Sequence, residues 1–490
     1  MSSEELPESL RIAYDSEVFR SAGHRLIDQL ADHLSASMRG EQSHALPWRT
    51  PEASCAHWEE LATHSDLSIE AICREILAGS VRISDPKYMG HQICHPAPVA
   101  MLAGLITDCV NNGTGIYEMG MAGTAMERHI VTCIARRFGL PASADGFLTS
   151  GGTLANLTAL LAARSIQTAG QRAPDVTAPQ LAVITSEQAH YCVDRAIRVM
   201  GWGDAGLIRI PTDAQFRMRT DLLESHYHAA VAEGIHVVAV VGSACTTSTG
   251  SFDDLTAIGE FCRKHDLWFH VDGAHGGAVA FSEMQRHRLA GIEHADSVTL
   301  DFHKMLMTPV TTSALVFRQG EHGFRTFAAE ADYLFQRQDD MEHDWYNLAK
   351  RTFECSKTMM ATKVYSILAT HGESLLGDNV DRLYALTANF VSLIESRPEF
   401  ELATPPQCNI VCFRLRPRDG QDSCTLNAQV RDRLTRAGNY YVVQTKLRDE
   451  VWLRTTITNP FTSARELNGV LDALAATAET CPHSSDLARP

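Results

Sequence analysis

The chain is poor in positive charge. It has 43 Lys and Arg against 59 Asp and Glu, a formal net charge of −16. That balance argues against nucleic acid or an anionic membrane as the main partner, since both recruit cationic surfaces. It leaves room for a local basic pocket. Long apolar runs are missing as well, and none reaches the roughly 18 residues that span a bilayer. No internal repeat or low-complexity tract breaks the 490 residues. The 13 cysteines form no dense framework. The closest pair, Cys408 and Cys412 in CNIVC, falls in a stretch that reads as strand, which favours neither a disulfide nor a metal. Scattered cysteines in odd number fit a reduced, cytoplasmic compartment. The opening MSSEELPESLRIAYDSEVF is acidic and polar, unlike a secretion signal.

What is present is an alternating texture, in a chain long enough for a large domain and one or two smaller ones. Between about 145 and 320 lie the apolar runs LAVIT (181–185), HVVAVVGS (236–243), LWFHVD (267–272), SVTLDF (297–302) and SALVF (313–317). Helix-like segments such as 153–165 and 190–200 separate them. This predicts an α/β fold around a mostly parallel sheet, with ligands at the carboxyl ends of the strands. Upstream, residues 14–38 carry Val18, Phe19, Leu26, Ile27, Leu30 and Leu34 at helical spacing. They predict an amphipathic helix that packs on another body, such as a second subunit. After about 375, CNIVCFRLRP and YYVVQTKLRDEVWLRTTITNP suggest strands. Ser463-Ala-Arg-Glu466 opens a helix with a capping-box pattern. The expected organisation is an N-terminal helical segment (1–95), a large α/β domain (96–375) and a small α+β domain (376–490).

Three segments point to chemistry. FLTSGGTLANLTALLAAR (147–164) joins a strand end, a Gly pair, hydroxyls and a helix start, which suits a phosphate cradle. A plain Gly-rich turn before a capped helix reads the same way. In LWFHVDGAHGG (267–277), strand alternation puts His270 and Asp272 on one face. A buried Asp at a strand end needs a cation, for which a protonated pyridine nitrogen would serve. A metal held by His270, Asp272 and His275 is the competing reading. In TLDFHKML (299–306), Lys304 ends the next strand, 32 residues after Asp272. It is either an exposed charge or a desolvated amine with a lowered pKa, usable as a nucleophile.

The order of these segments, with SEQAH (186–190) between the first two, resembles the fold-type I pyridoxal-phosphate enzymes. More closely, the chain is similar from about 80 to 475 to the group II amino-acid decarboxylases. The resemblance implies that the large domain binds pyridoxal 5'-phosphate, with Lys304 joined covalently to it. Asp272 would pair with the pyridine nitrogen, keeping it protonated as the sink for the electron pair left when CO2 departs. Ala274 would pack under the ring and His190 would stack on its other face. Gly152, Thr153 and Asn156 would hold the phosphate. Thr246 in SACTTSTGSFDD and His303 beside the lysine would stand near the ring.

For the substrate, Tyr346 in RQDDMEHDWYNLAKRTFECSK (337–357) falls, counting back from Cys355, on the loop tyrosine that protonates the substrate carbon in glutamate decarboxylases. An aromatic pair, Trp345 and Tyr346, anchoring a surface loop is the alternative. In the family this loop reaches the neighbouring subunit's site, which implies a homodimer. Arg454 in VWLRTTITNP matches an arginine used for the substrate carboxylate, a role that suits a bidentate guanidinium; a structural strand arginine reads alike. YMGHQICHPAP (88–98) and TGIYEMGMAGTAMER (114–128) read as pocket-lining segments. Gln92, Ile116-Tyr-Glu-Met-Gly120 and YLFQ (333–336) resemble the glutamate and cysteine-sulfinate branch, with Gln92 as a contact to an acidic side chain. His91 and His95 have the spacing of a helical zinc pair, but Gly90 and Pro96 disfavour a helix there. His275 replaces an aromatic residue of that branch, and Ser356-Lys357 replaces its Gly-Arg. The histidine-rich HQICH also resembles diaminobutyrate decarboxylases. The expected activity is decarboxylation of a small acidic amino acid. The alternatives are a basic or aromatic substrate, or decarboxylation coupled to oxidative deamination, which Tyr346 opposes. A cofactor-binding DNA regulator would need a basic helix-turn-helix, and the acidic N-terminal segment has none.

Overall fold

Seven strands build the main sheet: β1 (Asp145–Thr149), β2 (Leu181–Ser186), β3 (Leu207–Ile210), β4 (His236–Ser243), β5 (Trp268–Asp272), β6 (Ser297–Asp301) and β7 (Ser313–Phe317). The computed structural model describes residues 6–64, 67–168, 179–327, 344–418 and 421–481. YLFQ and the first residues of the following loop (337–343) lie outside them. The strand order is β1-β7-β6-β5-β4-β2-β3. Only β7 runs antiparallel to its neighbours; the other pairings are parallel. The continuous apolar runs follow from this, because such strands are covered on both faces. Successive residues serve opposite faces: Leu148, Val240 and Val298 join one core, and Phe147, Val241 and Leu315 the other. On the second face lies the helix Gly152–Gln167, whose Ala155, Ala159, Ala162 and Ala163 are fully buried.

The five runs expected as strands are strands. LIRI (207–210) was not expected, and it forms the four-residue edge of the sheet. SALVF is the antiparallel member, because it returns directly from the Lys304 turn to lie between β1 and β6. A second, antiparallel sheet has the order β10-β11-β9-β8, from β8 (Phe400–Leu402), β9 (Ile410–Leu415), β10 (Val443–Leu447) and β11 (Glu450–Thr456). The helix Ala464–Glu479 follows with its capping box formed: the Ser463 side chain accepts from the backbone, and Glu466 reaches back to the Ser463 N–H at 3.0 Å.

The expected N-terminal helix runs Ser16–Met38, capped by Asp15. It contacts the helix Ile69–Gly79 yet leaves Val18 and Phe19 more than half exposed. The segment TGIYEMG opens the helix Tyr117–Arg137, whose Met119 and Met121 are more than half exposed. No helix among the described residues is long and apolar enough to cross a membrane.

Candidate active site

The carboxyl ends of β1, β2, β4, β5 and β6 converge on one cavity of about 490 Å³. Gly151, Gly152, Thr153, Asn156, His190, Asp272, Ala274, His303 and Lys304 all stand in its wall. Parallel strands place the turns that follow them along the same edge of the sheet, so residues over 150 positions apart meet there.

Lys304 does not end a strand. β6 stops at Asp301, and Phe302–Met305 make one helical turn. The turn brings Lys304 Nζ back to Asp301 Oδ2, 3.0 Å away, with the lysine side chain 17% exposed. Burial alone would push the ammonium down, but the carboxylates of Asp301 and Asp272 outweigh it, and its pKa is raised. This corrects the lowered pKa expected from desolvation: a carboxylate three residues earlier lies on the same helical face. Burial pushes Asp301 up in turn, but Lys304, His303 and the Ser313 hydroxyl bring it below its ordinary value. Sequence reasoning missed Asp301. The i,i+3 spacing in DFHK was its signal, masked by reading the segment as strand.

Asp272 is buried at the end of β5, where its Oδ1 accepts from the Ala274 N–H (3.2 Å). It forms no ion pair among the described residues, so a cationic partner is wanted. His190 caps the helix Tyr191–Val199, its Nδ1 accepting from the Cys192 N–H at 3.3 Å. Burial, against the pull of Asp272, lowers its pKa and keeps the imidazole neutral. His303 Nδ1 lies 3.0 Å from the Thr312 carbonyl oxygen.

Asn156 belongs to a buried relay. Its Oδ1 only accepts, so His270 must donate from Nε2 (2.9 Å). His270 Nδ1 is then an acceptor from the Ser297 hydroxyl (2.8 Å), which itself accepts from Trp268 Nε1 (2.9 Å). Burial drives His270 down to about 4, in keeping with this neutral tautomer. Both ring nitrogens of His270 are thereby engaged, and His275 Nε2 contacts Asn409 Oδ1 (2.7 Å). Among the described residues, no group of three His, Cys, Asp or Glu is placed to hold a metal ion.

Thr246 lies just outside the wall. Its hydroxyl contacts Thr249 (2.8 Å) and accepts from the Ser251 N–H (3.0 Å), while Thr247 lines the cavity. At the mouth, a second cavity of about 290 Å³ adjoins the first along His190, Tyr191 and Thr247 and holds His91, Glu187 and Arg454. The Arg454 guanidinium is buried, and among the described residues its hydrogen bonds go to the carbonyls of Thr247 (2.7 Å) and Ser248 (3.1 Å). Gln92 is in neither wall. It lies on the strip beside the Lys304 turn, where Cys94 N–H donates to the His303 carbonyl (3.1 Å), and its Nε2 is buried without a hydrogen-bond partner among the described residues. Tyr346 is not in the cavity either; its ring packs on Tyr117 with centroids 5.1 Å apart.

Residues 52–416 match the model of the pyridoxal-dependent decarboxylase conserved domain. The chain belongs to the pyridoxal-dependent decarboxylase family. This decarboxylase is 30% identical over 471 residues to L-2,4-diaminobutyrate decarboxylase of Rhizobium meliloti, covering 95% of this chain and 93% of that protein. It is 32% identical over 348 residues to cysteine sulfinic acid decarboxylase of Mus musculus, covering 70% and 69%. Its fold superposes on the crystal structure of mouse CSAD in apo form with a TM-score of 0.86 at 25% identity, over 95% of this chain and all of the other. The decarboxylase is therefore a carboxy-lyase acting on an amino acid, and its cofactor is pyridoxal phosphate.

The cavity fits that group. The helix Gly152–Gln167 turns its amino terminus toward it, and a Cβ on Gly152 would lie 2.9 Å from both Asp301 carboxylate oxygens. Asp272 supplies the buried anion, and the small side chain of Ala274 lines the same wall.

Proposed function

We propose that the decarboxylase acts on a small acidic L-amino acid, with glutamate, aspartate and cysteine sulfinate as the candidates. Arg454 carries this reading: a buried cation bonded to carbonyls keeps its charge free for a substrate carboxylate. Gln92, whose buried donor has no partner among the described residues, supports it. Lys304 would hold the cofactor through its amine, Gly152, Thr153 and Asn156 would serve the phosphate end, and Thr246 would brace the Thr247 wall. Asp272 would keep a proton on the ring nitrogen it faces, with Ala274 below and His190 above the ring, and His303 would buttress the Lys304 turn. When bound, pyridoxal phosphate supplies the electron-accepting ring that cleavage of a carbon–carboxylate bond needs. The residues around it orient that bond and exclude water.

A basic substrate such as 2,4-diaminobutyrate is the second reading. Glu187 in the outer wall favours it, as does the similarity to diaminobutyrate decarboxylases. A panel of acidic, basic and aromatic amino acids with CO2 detection decides between them. Turnover confined to diaminobutyrate or to aromatic substrates would overturn the acidic reading. Aldehyde or peroxide in place of amine would reveal oxidative deamination.

The same reading makes the working unit a cytoplasmic homodimer. Its support is the exposed apolar surface on Val18, Phe19, Leu102, Leu105, Ile106, Met119 and Met121, together with 13 free thiols. Tyr346 stands against Tyr117 on that outward side, where its hydroxyl would serve the cavity of the neighbouring subunit and not its own.

A further inference from the structure

Two thiols meet behind the cofactor lysine. Cys245 lies in the turn after β4 and lines the cavity that holds Lys304. Cys408 lies two residues before β9, in the small sheet. Their sulfurs are 3.6 Å apart, with the Cys245 thiol donating to Cys408 Sγ, and both residues are buried. The contact joins the two sheets across 163 residues of sequence. It depends on Gly250, whose φ of +74° suits glycine and whose missing side chain makes room for Cys408 Sγ.

We propose that Cys245 and Cys408 are a reversible oxidation site, closed to a disulfide by a small hydroperoxide that enters through the cofactor cavity. A disulfide bond of about 2.05 Å asks the two sulfurs to approach by roughly 1.5 Å from their present 3.6 Å contact. Cys245, which faces the cavity, is oxidised first: its thiol takes one oxygen from the hydroperoxide and becomes a sulfenic acid, and an alcohol or water is released. Cys408 then attacks the Cys245 sulfur, the S–O bond breaks, the S–S bond forms, and the oxygen leaves as water with the Cys408 proton. Two thiols are oxidised and one peroxide bond is reduced.

The surroundings suit these roles. Burial pushes the Cys408 thiol up, but the hydrogen bond it receives from Cys245 and the charge of the neighbouring His275 ring outweigh it and hold the thiol below its ordinary value. Cys408 is thereby the better resolving nucleophile. Burial raises Cys245 far above the ordinary range, which slows its reaction; position makes it the first thiol oxidised, since it lines the cavity an oxidant enters and Cys408 does not. Cofactor in that cavity would shield it. A bond at this point would pin the Thr247 wall and the small sheet together beside Lys304 and arrest turnover.

The test treats purified full-length protein, with and without bound cofactor, with hydrogen peroxide, and then maps peptides without reduction. The expected product is a peptide pair joined through Cys245 and Cys408, lighter by two hydrogens than the separate peptides. It should form faster without cofactor, accompany loss of activity, and disappear on adding a dithiol with activity restored. Cys408→Ser and Cys408→Ala should each lose a much smaller fraction of their own activity under the same treatment. Recovery of Cys245 and Cys408 as free, alkylatable thiols while exposed Cys55, Cys109 and Cys355 oxidise would overturn the proposal. So would equal inactivation of the wild type and both variants. The peptide map stands on the wild-type chain even if the variants fold poorly.

Discussion

Lys304 and Asp301 form the decisive pair at the scale of single residues. The amine must shed a proton before it can attack a carbonyl, and Asp301 opposes that by stabilising the ammonium. Removing the carboxylate lowers the amine's pKa, so reaction becomes possible at lower pH. In Asp301→Asn, the pH profile of cofactor uptake by cofactor-free protein, read from absorbance, should move to lower pH by about one unit or more; one unit is about 1.4 kcal/mol. An unmoved profile would refute the role of Asp301. Asp272→Asn should fold normally and bind cofactor, yet lose several orders of magnitude in turnover, each tenfold loss being about 1.4 kcal/mol. Near-normal turnover would remove Asp272 from the chemistry. Tyr346→Phe should leave cofactor absorbance unchanged and alter the ratio of amine to aldehyde, which product chromatography reads directly. A lower melting temperature with an unaltered ratio would mark the residue as a loop anchor on Tyr117.

Elements matter here through where they end. The helix Gly152–Gln167 begins at a glycine because Asp301 occupies the space a side chain would fill. Gly152→Ala should therefore press on the Asp301 carboxylate and weaken cofactor retention, measured by dialysis and absorbance, while circular dichroism stays unchanged. Retention equal to the wild type would show that the turn can yield. The strand positions were legible in the sequence because buried parallel strands need unbroken apolar runs, as in HVVAVVGS. The four-residue β3 was not, since an edge strand that short leaves too brief a pattern. The Phe302–Met305 turn was also hidden: one helical turn has no period to read, and Leu300 and Phe302 continue the alternation of β6.

For the whole molecule, exposed apolar surface is the main clue. Val18 and Phe19 project from a well-capped helix, and Leu102, Leu105 and Ile106 from another, and their burial would be worth about 25 cal/mol per Å². Sedimentation should give twice the 53.9 kDa chain mass. Charge in the middle of such a surface is costly, so Val18→Glu with Phe19→Glu should shift the protein toward monomer. A monomeric wild type with full activity would refute the shared site.

The sequence by itself determined the candidate positions that the structure brings to one cavity: a lysine, an aspartate, a histidine and a Gly-Thr helix start, each at or just beyond a recognisable run. These were readable because local patterns specify strands and turns, and a parallel sheet sends the ends of its strands to one edge. The tertiary structure alone decided who meets whom. It paired Lys304 with Asp301, closed the Asn156–His270–Ser297 relay, turned Arg454 toward carbonyls, kept Thr246 one residue outside the wall, and set Cys408 against Cys245. Such contacts join residues from 27 to 207 positions apart or hang on a single helical turn, and no periodicity along the chain records them.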